Sequence, residues 1–255
     1  AITQGDENKF FTYSKTNHNL LIILLDEYQS DYFSEALDDE MKNDLSGFIW
    51  FKDAAANFPT TIAAMPAIFT GEIYENELDI NEFYEKVSNK SFANRLSDQG
   101  FQVSFTKASP MSETLFPDKS LVTFNSLDPE YTGVYSDLIN YSIFRAAPDL
   151  IKLQIYSNGK WLIHLENATP YDALGGIGAS FKKLNYLANK ELIITDGSPT
   201  LKFHHSVVTH SPTMLGSSCE ALGNVASTLQ NRSAEGKCAI TKIIKIINNL
   251  KNEGV

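Results

Sequence analysis

An unbroken apolar run over residues 20–25, preceded by Asn19, stops abruptly at two carboxylates, Asp26 and Glu27. Continuous rather than alternating hydrophobicity is typical of a strand that is buried on both faces, and such strands belong to parallel sheets. Open α/β sheets bind ligands at the carboxyl edge of their strands. The pattern therefore predicts that the two acids lie at a functional edge, although acids can also simply end a strand.

A second segment, residues 58–71, leads from a loop ending in two hydroxyl residues, Thr60 and Thr61, into a short run of small apolar residues. The run over 62–69 predicts a helix, which places Thr61 where unpaired backbone N–H groups and the helix dipole favour an anionic oxygen. A plain N-cap role is compatible with the same position. A carboxylate at a strand end and a hydroxyl at a helix start suggest a metal-activated nucleophile.

The remaining pattern alternates strands and helices in the rhythm of βαβ units and predicts an α/β fold. Residues 107–133 are rich in Pro, Ser and Thr, show no period and predict an irregular insertion. Helices are predicted over residues 30–37, 91–99, 134–156, 171–188 and 240–250, and further strands over 47–53, 101–105, 192–195 and 201–208.

Composition and charge narrow the class of protein. The 255 residues are 43% apolar and 20% charged, which fits one α/β domain over residues 19–255 preceded by a tail or linker over residues 1–18. A net charge of −10 without a dense Lys/Arg stripe disfavours nucleic acid as a partner. No run of about 18 apolar residues occurs, so we expect no spanning helix, and residues 1–18 do not resemble a signal peptide.

The first two segments resemble the alkaline phosphatase superfamily, in particular its sulfatase-like branch with the lipoteichoic acid synthases and phosphoethanolamine transferases. In that branch an apolar strand beginning at Asn ends in a metal-binding acid, which Asp26 matches. The family nucleophile lies ten residues before the Gly of a Thr-Gly pair, and counting back from Gly71 gives Thr61. The resemblance implies a mostly parallel central sheet with helices on both faces, and a metal site containing Asp26, Glu27 and Thr61.

A third segment supports the same resemblance. Residues 201–212 look like the family strand that ends in a His-x-Pro loop, here His210 and Pro212. The resemblance implies that His210 binds the substrate phosphate or sulfate, with His205 matching a second His of the transferases. A loop imidazole bonded to the backbone is the simpler alternative for His210.

Two cysteines, Cys219 and Cys238, flank a polar stretch that reads as a loop. An even count is weak support for a disulfide, and two unrelated buried thiols remain the alternative. Relatives in the resembling family carry cysteines at similar places, which implies a pair and an oxidising compartment. The resemblance then implies the periplasmic or extracellular face of a bacterial inner membrane, with the chain excised from a membrane-anchored parent.

The chain also departs from the family. Sulfatases proper use a Cys or Ser in a Cys/Ser-x-Pro-x-Arg motif, whereas Thr61 is followed by Ile-Ala-Ala-Met. Sulfuric ester hydrolysis is thus the less favoured alternative. The late Asp-His-Gly motif, which supplies two more metal ligands, is absent, so we expect a C-terminally incomplete domain.

Together these features predict a metal-dependent phosphotransferase or phosphohydrolase. The resemblance implies a divalent ion (Zn, Mn, Mg or Ca), a Thr61 nucleophile and an anionic phosphate- or sulfate-ester substrate, such as a lipid or glycan headgroup. A catalytically degenerate domain that serves as a lipid-binding or regulatory module is the alternative from another class.

Overall fold

The computed structural model describes residues 7–75, 77–106, 113–124, 132–157, 161 and 169–255. It is a mixed α/β fold with parallel sheets, as the sequence predicts. The strands are β1 (Thr12–Ser14), β2 (Asn19–Leu25), β3 (Gln102–Thr106), β4 (Ile193–Thr195), β5 (Thr200–Ser206), β6 (Thr213–Leu215) and β7 (Ala221–Val225). The helices are α1 (Asn8–Phe11), α2 (Ser30–Ala36), α3 (Asp39–Asp44), α4 (Thr61–Thr70), α5 (Ile80–Val87), α6 (Phe92–Asp98), α7 (Thr132–Ala146), α8 (Asp149–Tyr156), α9 (Gly175–Asn189) and α10 (Leu229–Glu253).

A three-stranded parallel sheet in the order β2, β5, β3 organises the molecule. Strand β5 lies in the centre and is buried along its whole length. Two smaller sheets accompany it: a parallel pair of β1 and β4, and an antiparallel pair of β6 and β7.

Apolar clusters cover both faces of the central sheet. Leu21, Ile23 and Leu25 of β2 pack on one face, against a cluster supplied largely by α9 and α10. Ile22 and Leu24 pack on the other face, against a cluster supplied by α4, α6, β3 and β5. Because successive residues of a strand point to opposite faces, a strand whose two faces both pack against apolar clusters is favoured by apolar residues at successive positions, which accounts for the unbroken run.

Residues 8–14 differ from the expected N-terminal tail. They form α1 and β1, and Phe10, Phe11 and Tyr13 are buried in the core. Burial of three aromatic side chains offsets the entropy of ordering the segment.

Two other segments also differ from their predicted structure. Residues 47–53 were expected to form a strand but have no regular structure, and their aromatic side chains are largely exposed. The helix expected over 134–156 is two helices, because Pro148 precedes α8 and cannot continue α7. Of the insertion expected over 107–133, residues 107–112 and 125–131 lie outside the described residues.

Long helix α10 begins far earlier than the apolar stripe over 240–250 suggests. Thr228 caps its first turn by accepting a hydrogen bond from the Asn231 N–H, so residues that read as a polar loop are helical. Among the helices of the part of the chain described, none combines the length and apolar character that crossing a membrane requires.

Candidate functional site

Asp26 lies at the carboxyl end of β2, where β5 and the loop that follows it hold its backbone through two hydrogen bonds. Its N–H donates to the Ser206 carbonyl at 2.9 Å, which extends the ladder with β5 by one residue. Its carbonyl accepts from the Thr209 hydroxyl at 2.8 Å. The carboxylate therefore projects from a fixed backbone at the edge where parallel sheets bind ligands.

Thr61 is the first residue of α4, and its hydroxyl meets Asp26. The Thr61 Oγ1 lies 3.0 Å from both carboxylate oxygens of Asp26. Thr60 is the N-cap residue but makes no side-chain capping bond. The contact between Asp26 and Thr61 that the two sequence segments predict is therefore confirmed, and the hydroxyl sits at a helix N-terminus, where developing negative charge is favoured.

His205 joins the same group from the neighbouring strand. Its ring is buried, and Nε2 lies 3.2 Å from Asp26 Oδ2. Burial raises the pKa of Asp26, but hydrogen bonds from His205 and Thr61 and the nearby imidazoles outweigh burial, and the pKa lies below its usual value. Asp26 is therefore an ionised acceptor at neutral pH, placed between a hydroxyl and an imidazole.

Glu27 and His210 form a second group beside the first. Glu27 has a positive φ of 58°, and its carboxylate accepts from the Ser211 N–H at 2.9 Å and the Ser211 hydroxyl at 3.1 Å. His210 Nδ1 lies 3.4 Å from the same carboxylate. Burial raises the pKa of Glu27, but the Ser211 bonds and the Arg232 charge outweigh it, and the pKa is lowered.

Arg232 is a site residue that the sequence reading missed. Its side chain is 3% exposed, its Nη2 donates to the Glu27 carbonyl at 3.0 Å, and the guanidinium lies 5.2 Å from the Tyr32 ring centroid. The guanidinium therefore braces the backbone from which Glu27 projects. The capping Thr before the polar stretch was the one signal that could have placed Arg232 on a helix.

Glu235, one turn further along α10, was also missed. The residue is fully buried, and its Oε1 accepts from the N–H groups of Met214 and Leu215 at 2.8 and 3.1 Å. Burial raises the pKa of Glu235 to about 7 although these hydrogen bonds oppose the shift. The carboxyl ties the strand after the His210 loop to α10.

The donors around Asp26 suit a divalent cation in kind, because carboxylate and hydroxyl oxygens bind hard cations and imidazole binds zinc. Three oxygens, from Asp26 and Thr61, already converge within hydrogen-bond distance. Within the described ranges, however, no three side chains of His, Cys, Asp or Glu come together as a metal-binding group. The residues present thus fit part of a metal site, and the role of Glu27 as a ligand stays a prediction.

The two cysteines form a disulfide, Cys219 to Cys238, as predicted. Their setting differs from the expected polar loop: β7 and the first turns of α10 lie between them, and both residues are buried. The disulfide links the segment that follows the His210 loop to the middle of α10.

His204 lies apart from these groups. His204 is buried and its Nδ1 pairs with the Thr106 hydroxyl at 2.6 Å; burial lowers its pKa to about 3. It is a neutral core residue on the opposite face of β5 from His205. His164, which has no motif around it, lies outside the described residues.

Comparisons with family models, with curated proteins and with solved structures found no match to this chain.

Proposed function

We propose that the chain is the catalytic domain of a metal-dependent phosphotransferase or phosphohydrolase of the sulfatase-like kind, acting on phosphate esters such as lipid or glycan headgroups. The observation that carries the proposal is the contact between the Thr61 hydroxyl, at the start of α4, and both oxygens of Asp26. The parallel sheet with cores on both faces supports an alkaline-phosphatase-like architecture.

In this mechanism Thr61 Oγ1 attacks phosphorus. The new P–O bond forms as the bond to the leaving-group oxygen breaks, and the hydroxyl proton passes to Asp26, whose lowered pKa keeps it ionised beforehand. The N-terminus of α4 favours the charge that develops at Oγ1. The phosphothreonine then passes its phosphoryl group to water in a hydrolase, or to a glycan or lipid hydroxyl in a transferase.

The two histidines have separate tasks in the proposal. His205 Nε2, 3.2 Å from Asp26, orients the carboxylate toward Thr61. His210, half exposed on its loop, binds a non-bridging oxygen or the leaving group. A divalent cation held by Asp26 and Thr61, with Glu27 as the further predicted ligand, would supply Lewis-acid stabilisation of the phosphoryl oxygens when bound.

The disulfide supports an oxidising compartment as the place where this activity occurs. Disulfides persist in oxidising surroundings and are rare in the cytosol. Formation of the Cys219 to Cys238 link therefore favours the periplasmic or extracellular face of a bacterial inner membrane.

The test uses a matched pair of variants, Thr61→Ala and Thr60→Ala. With bis(p-nitrophenyl) phosphate and each divalent cation in turn, Thr61→Ala should lower turnover by at least about 1,000-fold, because removal of a nucleophile has effects of this size or larger. Thr60→Ala should change little, since the Thr60 hydroxyl makes no capping bond. Mass spectrometry of the acid-quenched protein should place a phosphoryl group on Thr61. Turnover that survives Thr61→Ala would refute the mechanism.

A second function, a headgroup-binding module without turnover, is favoured by one observation. The described residues bring together no group of three metal-binding His, Cys, Asp or Glu side chains. Such a module would bind inorganic phosphate in calorimetry, with His210→Ala weakening binding, and would never acquire phosphothreonine. Covalent labelling of Thr61 excludes it.

A further inference from the structure

Strand β2 has a free edge whose backbone groups can be identified from its pairing. On the β5 side, the His18 carbonyl accepts from Thr200 and the Asp26 N–H donates to Ser206. Backbone groups alternate sides along a strand, so residues of even number face β5, and the N–H and C=O groups of Leu21, Ile23 and Leu25 face the free edge. The described residues provide no hydrogen-bond partner for these six groups.

This edge lies in a groove of about 980 Å³. The successive residues Leu21, Ile22 and Ile23, whose side chains point to opposite faces of the sheet, all line the groove. The groove therefore runs along the edge of the sheet and not over one face. The C-terminal half of α10 and residues 48–51 contribute further lining. The side chains of residues 48–51 are 47 to 78% exposed, although all four are large and apolar.

The combination of apolar walls and unpaired backbone groups selects the chemistry of the occupant. An acyl chain would cover the walls but would leave the N–H and C=O groups of the edge buried without hydrogen-bond partners, which is unfavourable for each group. An extended peptide satisfies these groups by adding a strand and buries its apolar side chains against the walls. A second copy of this chain fits less well. Its β2 edge also lies at the bottom of a concave groove, so the walls of the two grooves would keep the two edges apart.

We propose that this groove binds an extended apolar segment of a partner protein, which joins the sheet as a fourth strand beside β2. The charged side chains that line the groove, Lys42 and Lys251, are both cationic in a chain of net charge −10. Among the described residues, Lys42 forms its ion pair with Asp39, and that pair is largely exposed and thus weak. The bound segment therefore carries an acidic residue beside its apolar run. The proposal does not depend on the phosphoryl chemistry of the Thr61 site.

The test begins with a library of random 12-residue peptides displayed on phage and selected against the purified chain. Selected peptides should contain an apolar run flanked by Asp or Glu. In hydrogen exchange, a synthetic copy should protect the amides of Leu21, Ile23 and Leu25. A copy that is N-methylated at alternate residues should bind at least about tenfold more weakly, because each lost hydrogen bond is worth about 1 kcal/mol.

A pair of variants locates the site independently. Ile247→Glu places a charge in the groove wall and should abolish peptide binding, whereas Leu150→Glu, at a position on α8 that is 90% exposed, should leave it unchanged. The N-methylated peptide serves as the test if Ile247→Glu fails to fold. Failure to recover any peptide, equal binding of the methylated copy, protection by palmitate in place of peptide, or dimerisation that protects the same amides would each overturn the proposal.

Discussion

The carboxyl end of β2 and the free edge of the same strand meet the rest of the molecule in different ways. At the end, Asp26 and Glu27 engage hydroxyl, imidazole, backbone and guanidinium groups from three other parts of the chain. Along the edge, apolar residues line an open groove and the outward backbone groups have no described partner. At the carboxyl end of β2, the chain itself supplies the partners of the polar side chains. At the free edge, the apolar side chains and backbone groups would need a bound partner to become buried and paired.

Breaking the disulfide behind the carboxyl end of β2 should lower stability more than any substitution along the free edge. Replacing both Cys219 and Cys238 by Ala removes a cross-link between residues 19 apart and should lower the free energy of unfolding by about 3 kcal/mol. Urea unfolding measures the loss. Titration of the denatured wild-type chain without reductant should find no reactive thiol, and two reactive thiols would contradict the disulfide.

The buried carboxyl of Glu235 should make stability depend on pH. Its folded pKa of about 7 exceeds the ordinary glutamate pKa of 4.5, so the folded state holds the proton more tightly and stability is lost as pH rises from about 4.5 through 7. Glu235→Gln keeps an acceptor for Met214 and Leu215 but cannot ionise. At pH 8 the Gln variant should therefore be more stable than the wild type by about 3 kcal/mol, with little difference at pH 4.5.

Urea unfolding of both proteins across this pH range isolates the contribution of Glu235, since all other titrating groups are shared. Parallel curves with a constant offset would show that the carboxyl does not change its ionisation between the folded and unfolded states.

Along the free edge, in contrast, substitution should hardly matter to the unliganded chain. Phe51 is 74% exposed, so Phe51→Ser should change the free energy of unfolding by no more than about 0.5 kcal/mol. The same substitution at Phe69, which is 1% exposed, should cost more than about 3 kcal/mol. A large loss at Phe51, measured in the same urea experiment, would mean that the groove is closed by the chain itself.

The sequence was sufficient where one local signal determined the structure. Six apolar residues before Asp26 sufficed to place β2 between two cores, and the hydroxyls at the start of a small-residue helix sufficed to place Thr61. The pattern of residues within each segment was enough to predict the position of β2 and that of Thr61. The contact between the two segments followed from the geometry of a parallel sheet.

Residues with opposing signals could not be predicted in the same way. Arg232 and Glu235 are charged but buried, and hydropathy assigned their helix to a loop because nothing local reveals that Glu27 and β6 supply their partners. The prediction for residues 48–51 was wrong in the opposite way, because apolar residues predicted to form a strand are exposed and irregular. Their apolar side chains suggested a strand, but these residues pair with no strand of the described part of the chain, and pairing cannot be read from a local stretch of sequence.

The left-handed backbone of Glu27 sets two evolutionary demands against each other at one position. A φ of 58° suits Gly or Asn better than Glu, because a side chain with Cβ is crowded in that region. Gly would relieve the crowding but would release Ser211 and leave the buried Arg232 without its carboxylate. Selection for thermal stability alone should therefore favour Gly at position 27, whereas selection for an intact His210 loop should favour Glu. The presence of Glu indicates that the His210 loop has been the stronger demand.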